Sequence, residues 1–242
     1  KTKLITLVKE YLPGHHIGER DVYRVVFRAN ISPDFMHTRL QNQQPLQGEE
    51  LDAYSVGEHD VTLFKTPGNI KVLYHIHPEE HKLGQDEYEL LELARHVLSE
   101  HKPREEEFLD PQRMRKTFYN IGRDLLNELA QNKNLDLDYT RIELLARILV
   151  RYTVGFGLIE ALLNDERIQD ITINSPVGSS PIHIVHQDYG QCYTNIVPHG
   201  EEAEGWATKF RLLSGRPLDE ANPVLDTELI LPYAKARVAA VS

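Results

Sequence analysis

Cysteine is almost absent: Cys192 stands alone in a chain of 242 residues. No internal disulfide is possible, and a reducing compartment fits that usage. Long apolar runs are also missing. None approaches the ~20 residues needed to span a bilayer. The longest candidate, residues 144–150, lies between Arg141 and Arg151 and contains Arg147, as suits a helix lying on a core. Positive charge is scarce, with 27 Lys and Arg against 37 Asp and Glu, a formal net charge of −10. Nucleic acid demands basic surface, so it is excluded as a partner. Adhesion to anionic headgroups is disfavoured except through a local basic patch.

Two chemical motifs are missing as well. A phosphate loop needs Gly-x-x-x-x-Gly-Lys-Ser/Thr, so that backbone N–H groups can cradle phosphates. The only glycines at that separation are Gly200 and Gly205, and Trp206-Ala207 follow where Lys and Ser/Thr are required. No nucleophile-elbow Gly-x-Ser-x-Gly occurs, so a hydrolase triad has no foothold. The chain on its own is therefore expected to be inactive, with no catalytic residue assigned to it. Its basic start, Lys1-Thr-Lys-Leu-Ile-Thr-Leu-Val, meets Glu10 and Pro13 too soon for a signal peptide. The missing initiator Met and the abrupt carboxyl end read as an excised piece.

What is present is ordinary for a folded protein: 40% apolar and 26% charged residues, in a length that allows one large domain or two modest ones. Residues 1–58 are the least legible, with a possible strand at 22–29 and a polar loop at 41–50. Beyond them, Val61-Thr-Leu-Phe-Lys and Ile70-Lys-Val-Leu-Tyr-His-Ile-His read as strands joined by Thr66-Pro-Gly-Asn. A helix is expected over 86–100, with Leu90, Ala94, Val97 and Leu98 on one face. Asp110-Pro111 opens a second helix, whose seam is Met114, Phe118, Ile121, Leu125 and Leu129. A third follows Asp138, with Ile142, Leu145, Leu149 and Tyr152 as its stripe. Three such helices with short connectors imply a small bundle.

Gly155-Phe-Gly157 breaks the pattern, and a domain boundary is placed there. After it come a short helix at 158–164, a strand at 170–174, and a hairpin closed by Asp188-Tyr-Gly190. A helix at 201–214 carries Ala203, Trp206, Ala207, Phe210 and Leu213 on one side and ends at Gly215. Two final strands complete the chain. The fold class is α+β: a β-hairpin and small helical bundle over 59–155, then an antiparallel sheet with helices on one face over 156–242.

His75-Ile-His77, with His81 and the carboxylates Glu79 and Glu80, comes nearest to a metal site, since alternation puts His75 and His77 on one face. Pro78 and its polar neighbours read instead as an exposed strand end where imidazoles solvate, so no metal is assigned. His183 and His186 face opposite sides of their strand and share no ligand.

Three stretches carry a resemblance. They are Gly157-Leu-Ile-Glu-Ala-Leu-Leu, then Ile168-Gln-Asp-Ile-Thr-Ile-Asn-Ser-Pro, and Ser214-Gly-Arg-Pro-Leu-Asp-Glu-Ala-Asn-Pro-Val-Leu-Asp. Together they resemble the PAS-like domain that precedes the RecA-like motor in the secretion ATPase superfamily of type II and type IV secretion, type IV pilus and archaellum assembly. The likeness runs from about residue 155 to 242, and residues 59–155 resemble the helical amino-terminal domain of archaeal members. It implies a regulatory and docking half of a hexameric ATPase, cytoplasmic and peripheral at the inner face of the cell membrane. ATP and Mg²⁺ would be held by the motor domain, outside this stretch. Arg216 and Arg237 would reach the γ-phosphate, because a guanidinium is always charged and grips phosphate oxygens in a planar fork. The implied partners are the chain's own motor, neighbouring subunits of a homo-hexamer and an integral membrane platform protein. Family members carry a tight Pro-Asp-Gly turn before the second arginine. Here the words are Leu231-Pro-Tyr-Ala-Lys-Ala-Arg237, so the hairpin must close differently. Both arginines have a plainer reading, in which they pair with Asp219, Glu220 or Asp226 and fix the bend. A stand-alone interaction module on the same fold is the alternative function.

Overall fold

Alternation of buried and exposed side chains builds the central sheet. A computed structural model describes residues 39–40, 48–100 and 111–242, all within the unit Pro33–Ser242. Strands β2 (Glu49–Val56), β3 (His59–Lys65) and β4 (Val72–His77) form an antiparallel meander. Strands β5 (Ile168–Thr172), β6 (His183–His186) and β7 (Gly190–Thr194) form another. The two join as one six-stranded sheet in the order β2-β3-β4-β7-β6-β5. Strand β1 (Arg39–Leu40) pairs with β8 (Ile196–Val197). A hairpin, β9 (Val224–Ile230) and β10 (Lys235–Val241), stands apart as its own sheet.

The expected α+β class is therefore the observed one, with a difference in the sheet. It is mixed, because β4 and β7 run parallel. Asn195 completes that junction after β7 ends. Its side-chain amide accepts from the Ile76 N–H (2.9 Å) and donates to the Ile76 carbonyl (3.0 Å), standing in for a strand residue. The sheet thus takes strands from both sides of the boundary drawn at residue 155. Strand β2 was not foreseen, and a bulge between Glu50 and Asp52 explains why: it interrupts the two-residue period that sequence patterning relies on. The possible strand at 22–29 and most of the polar loop at 41–50 lie outside the described residues.

The helices are α1 (Gln85–Glu100), α2 (Pro111–Asn132), α3 (Tyr139–Thr153), the short α4 (Ile159–Leu163) and α5 (Gly200–Ser214). Asp138 caps α3 by accepting from the Arg141 N–H at 2.7 Å. Gly215 ends α5 at φ 63°, a left-handed position that glycine adopts without a Cβ clash. Helices α1 to α3 share one core in which Leu90, Leu91, Leu126, Leu145 and Ile148 are fully buried. Two seams are rotated from expectation. Val97 is 46% exposed and Ile121 42% exposed. The buried line of α2 is instead Phe118, Gly122, Leu126 and Ala130. Small residues let backbones approach, and a Cβ on Gly122 would sit 3.1 Å from Leu149 Cδ2. Counting apolar residues favours Ile121, but close helix contact selects Gly122.

A second core fills one face of the sheet, where Leu158, Ala161 and Leu162 of the α4 segment cover Leu63, Tyr74, Ile76 and Ile184. A third lies between α5 and the final hairpin, with Trp206 packed among Phe156, Leu229 and Leu231. Trp206 thus anchors its helix to the hairpin rather than to the main sheet.

Among the described residues no helix is long and apolar enough to cross a membrane. Gly155 tests the packing directly. A Cβ there would lie 2.4 Å from Glu160 Oε1 and 2.6 Å from the Arg151 carbonyl oxygen, whereas exposed Gly205 in α5 has nothing within 4 Å. Urea denaturation should show Gly155→Ala losing about 1–3 kcal/mol through overpacking. Gly205→Ala should gain up to ~1 kcal/mol from helix propensity.

Candidate functional site

Arg216 and Arg237 come together on the last hairpin. Arg237 on β10 pairs with Asp226 on β9: its Nε donates to Oδ1 at 3.0 Å and its Nη2 bonds Oδ2. Arg216, in the bend before β9, brings Nη1 to 3.5 Å from the Asp226 carbonyl oxygen. The bend is made by Asp219 and Asn222, whose backbones exchange hydrogen bonds at 3.2 and 3.1 Å. The pair is open to water, with the Arg237 side chain 81% exposed. Hydrogen bonding to Arg237 holds the Asp226 carboxyl below its ordinary pKa. Both arginines meet at Asp226, one of the carboxylates that the plainer reading named.

Sequence reasoning missed what lies at the hairpin's turn. The hairpin turns through Pro232-Tyr233, and the Tyr233 hydroxyl donates to the Glu160 carboxylate. Glu160, at the start of α4, is only 2% exposed. It also accepts from both Nη atoms of Arg115 on α2 (Nη1 at 2.9 Å) and from the Phe156 N–H at 2.9 Å. Lys209 on α5 donates to the Gly155 carbonyl beside it. Burial pushes the Lys209 ammonium down to about 8, against the upward pull of Glu160. Burial, then the Glu160 charge, pushes the Tyr233 phenol up. A second buried carboxylate, Glu80, pairs with Arg151, and Glu58 binds Arg147. His59 Nδ1 lies 3.9 Å from Glu80. Single buried acids give no periodic signal; the only hint was that Glu160 falls in an otherwise apolar helix.

Of these, Glu58, Arg115, Arg147, Arg151, Glu160 and Tyr233 border a cleft of about 490 Å³ between the β2–β3 turn, α2, α3, α4 and the final hairpin. A separate buried cluster ties the sheet together. Tyr54 and Tyr74 both donate to Asp165 Oδ2, at 2.7 and 2.9 Å, and Tyr54 Oη lies 3.1 Å from His186 Nε2.

The histidine strand differs from expectation. His75 and His77 share a face, their rings 4.3 Å apart, but His75 is fully buried and meets Phe64 edge-on. At His75 the strand is paired with Thr62 of β3, and the Asn195 side chain takes the Ile76 backbone on the other side, long-range contacts that local composition does not reveal. Among the described residues no three His, Cys, Asp or Glu side chains converge as a metal site requires. Cys192 is buried, and its thiol is pushed up to about 11.

Comparison with known proteins finds no family model that matches the chain. Parts of it are similar to proteins of Methanocaldococcus jannaschii. The uncharacterized protein MJ1288 is 31% identical over 108 residues, 44% of this chain and 42% of that protein. The uncharacterized protein MJ0781 is 30% identical over 111 residues, 46% of this chain and 15% of that protein. The chain spans less than half the length of either relative.

Two outcomes test the buried network. Glu160→Gln should cost about 3 kcal/mol, because Arg115 then keeps its charge without a carboxylate. Pairing it with Arg115→Met should restore much of that loss in a double-mutant cycle. The second concerns pH. Desolvation lowers the His59 pKa below the ordinary value near 6.5, against the upward pull of Glu80. The unfolded chain then binds more protons below that value, so stability falls as pH drops through 6.5 and is retained above it. A stability–pH curve should show this decline, and His59→Asn should make it shallower, the remainder coming from His77, His81 and His186, whose pKa values burial lowers too.

Proposed function

We propose that this chain is the nucleotide-sensing and docking half of a hexameric ATPase of the secretion, type IV pilus and archaellum assembly superfamily. Arg216 and Arg237 are its contacts with the γ-phosphate of ATP–Mg²⁺ held on a RecA-like motor domain. Its partners are that motor, neighbouring subunits of the ring and an integral membrane platform protein, which places it at the inner face of the membrane. One observation carries the reading. Two arginines 21 positions apart in sequence (Arg216 and Arg237) meet at one exposed residue, Asp226, on a hairpin outside the main sheet.

The chemistry follows from that placement. An exposed arginine–carboxylate pair contributes little to stability, so it exchanges partners at little cost. A triphosphate offers more charge than Asp226 and accepts the same planar fork. The arginines would leave Asp226 when a γ-phosphate arrives and return after hydrolysis, letting this half swing against the motor. The outer face of the hairpin also exposes Val224 (64%), Ile230 (51%) and Val241 (76%), apolar area that a neighbouring lobe would cover.

The second reading is an interaction module in which the pair only fixes the bend, and the direct Arg237–Asp226 contact favours it. Full-length protein separates the two. Arg237→Ala should lower ATP turnover on the order of 10³-fold, as loss of an arginine finger does, with melting temperature unchanged. Asp226→Asn should leave turnover near wild type. Normal hydrolysis in Arg237→Ala, or an equal loss in Asp226→Asn, returns the pair to a structural role.

A further inference from the structure

The cleft of about 490 Å³ beside Glu160 lies apart from the arginine pair, at the edge of the sheet core whose Val56 and Ala161 line it. Its size falls within the roughly 300–1,000 Å³ typical of small-molecule sites. Val56, Val150, Ala161 and Pro232 give it apolar walls, and Tyr119 and Tyr233 add aromatic surface. Tyr233 is 45% exposed there, although its hydroxyl is tied to Glu160.

Charge in the cleft runs against that of the chain. Arg115, Lys116, Arg147 and Arg151 line it, in a protein of net charge −10. The guanidiniums are matched by carboxylates: Arg115 by Glu160, Arg147 by Glu58 and Arg151 by Glu80. Lys116 has no carboxylate partner among the described residues, so one positive charge remains over. Arg147 is the more open of the paired guanidiniums, at 43% exposure against 18% for Arg115 and 12% for Arg151. The buried pairs hold the floor rigid, while Lys116 carries the unmatched charge and the exposed Arg147 can share its guanidinium between Glu58 and a ligand.

We propose that this cleft is a binding site for a small aromatic anion. A flat ring lies against Tyr119, Tyr233 and the apolar wall, and its phosphate or carboxylate takes Lys116 and Arg147. A phosphate or carboxylate accepts from both cations, and the ring gains from leaving water and from contact with tyrosine. The site is independent of the nucleotide-sensing reading, because neither Arg216 nor Arg237 lines it.

Calorimetric titration tests this with 1-naphthyl phosphate and 1-naphthoate, which carry a ring and differ in the anion. Inorganic phosphate and 1-naphthol serve as half-ligands. At least one naphthyl anion should bind saturably, and each half-ligand should bind about tenfold more weakly or worse. Lys116→Ala/Arg147→Ala, both exposed positions, should raise the Kd about tenfold. Gln112→Trp, at an exposed position lining the cleft, should block binding without removing charge. Arg216→Ala/Arg237→Ala should bind as wild type. The preferred anion identifies the headgroup. Absence of saturable binding by both probes at concentrations on the order of 1 mM overturns the site. So does unchanged affinity in the two cleft variants when circular dichroism shows them folded.

Discussion

A buried carboxylate, Glu160, ties α2 to the α3–α4 connection and the final hairpin, the last two of which share a hydrophobic core without it. Through it, α2 contributes Arg115, the α3–α4 connection contributes the Phe156 amide, and the final hairpin contributes Tyr233. A carboxylate that is 2% exposed is tolerable only when its oxygens are filled. That demand fixes the neighbours. Gly155 has to be glycine because the carboxylate occupies the space of a Cβ. The hairpin turn presents the Tyr233 hydroxyl to one of those oxygens. The Pro232-Tyr233 turn therefore has a structural use: it anchors the hairpin that carries Arg237.

The anchoring matters because the hairpin has no strand partner in the main sheet. An isolated two-stranded ribbon is marginal in water unless it packs against something. Trp206, Phe156, Leu229 and Leu231 provide that packing on its inner side, and Tyr233 adds a polar attachment at its tip. Its outer side stays open, with charges paired across the strands by Arg237–Asp226 and Lys235–Glu228. A ribbon held at one face and one end presents its other face without distortion. Phosphate recognition needs such preorganised arginines, and so does a simple interaction surface.

Much of the architecture was legible in local words. Asp138 as a cap, Gly215 as a helix stop, the Asp219–Asn222 bend and the β6–β7 hairpin each rest on short-range chemistry that one segment contains. The bundle stripes were legible in outline but rotated at Val97 and Ile121, because helix contact follows the shape of the partner as well as apolarity. The burial of His75 was not legible at all. It rests on neighbours brought in by the fold, Phe64 on β3 against the ring and Asn195 on the adjoining Ile76 backbone, the latter more than a hundred residues further along.

The amino-acid order by itself determined most of the helices, strands and bends from residue 59 onward, that the class is α+β, and that Arg216 and Arg237 stand in a polar bend and a strand. These follow from periodicity and capping, which act over a few residues. Only the tertiary structure decided that the two arginines meet at Asp226, that one mixed sheet spans the expected boundary, and that Glu160 is the buried junction beside a charged cleft. Burial of a charge and closure of a cleft depend on groups far apart in sequence. Their pairing energies exist only once the chain has folded around them.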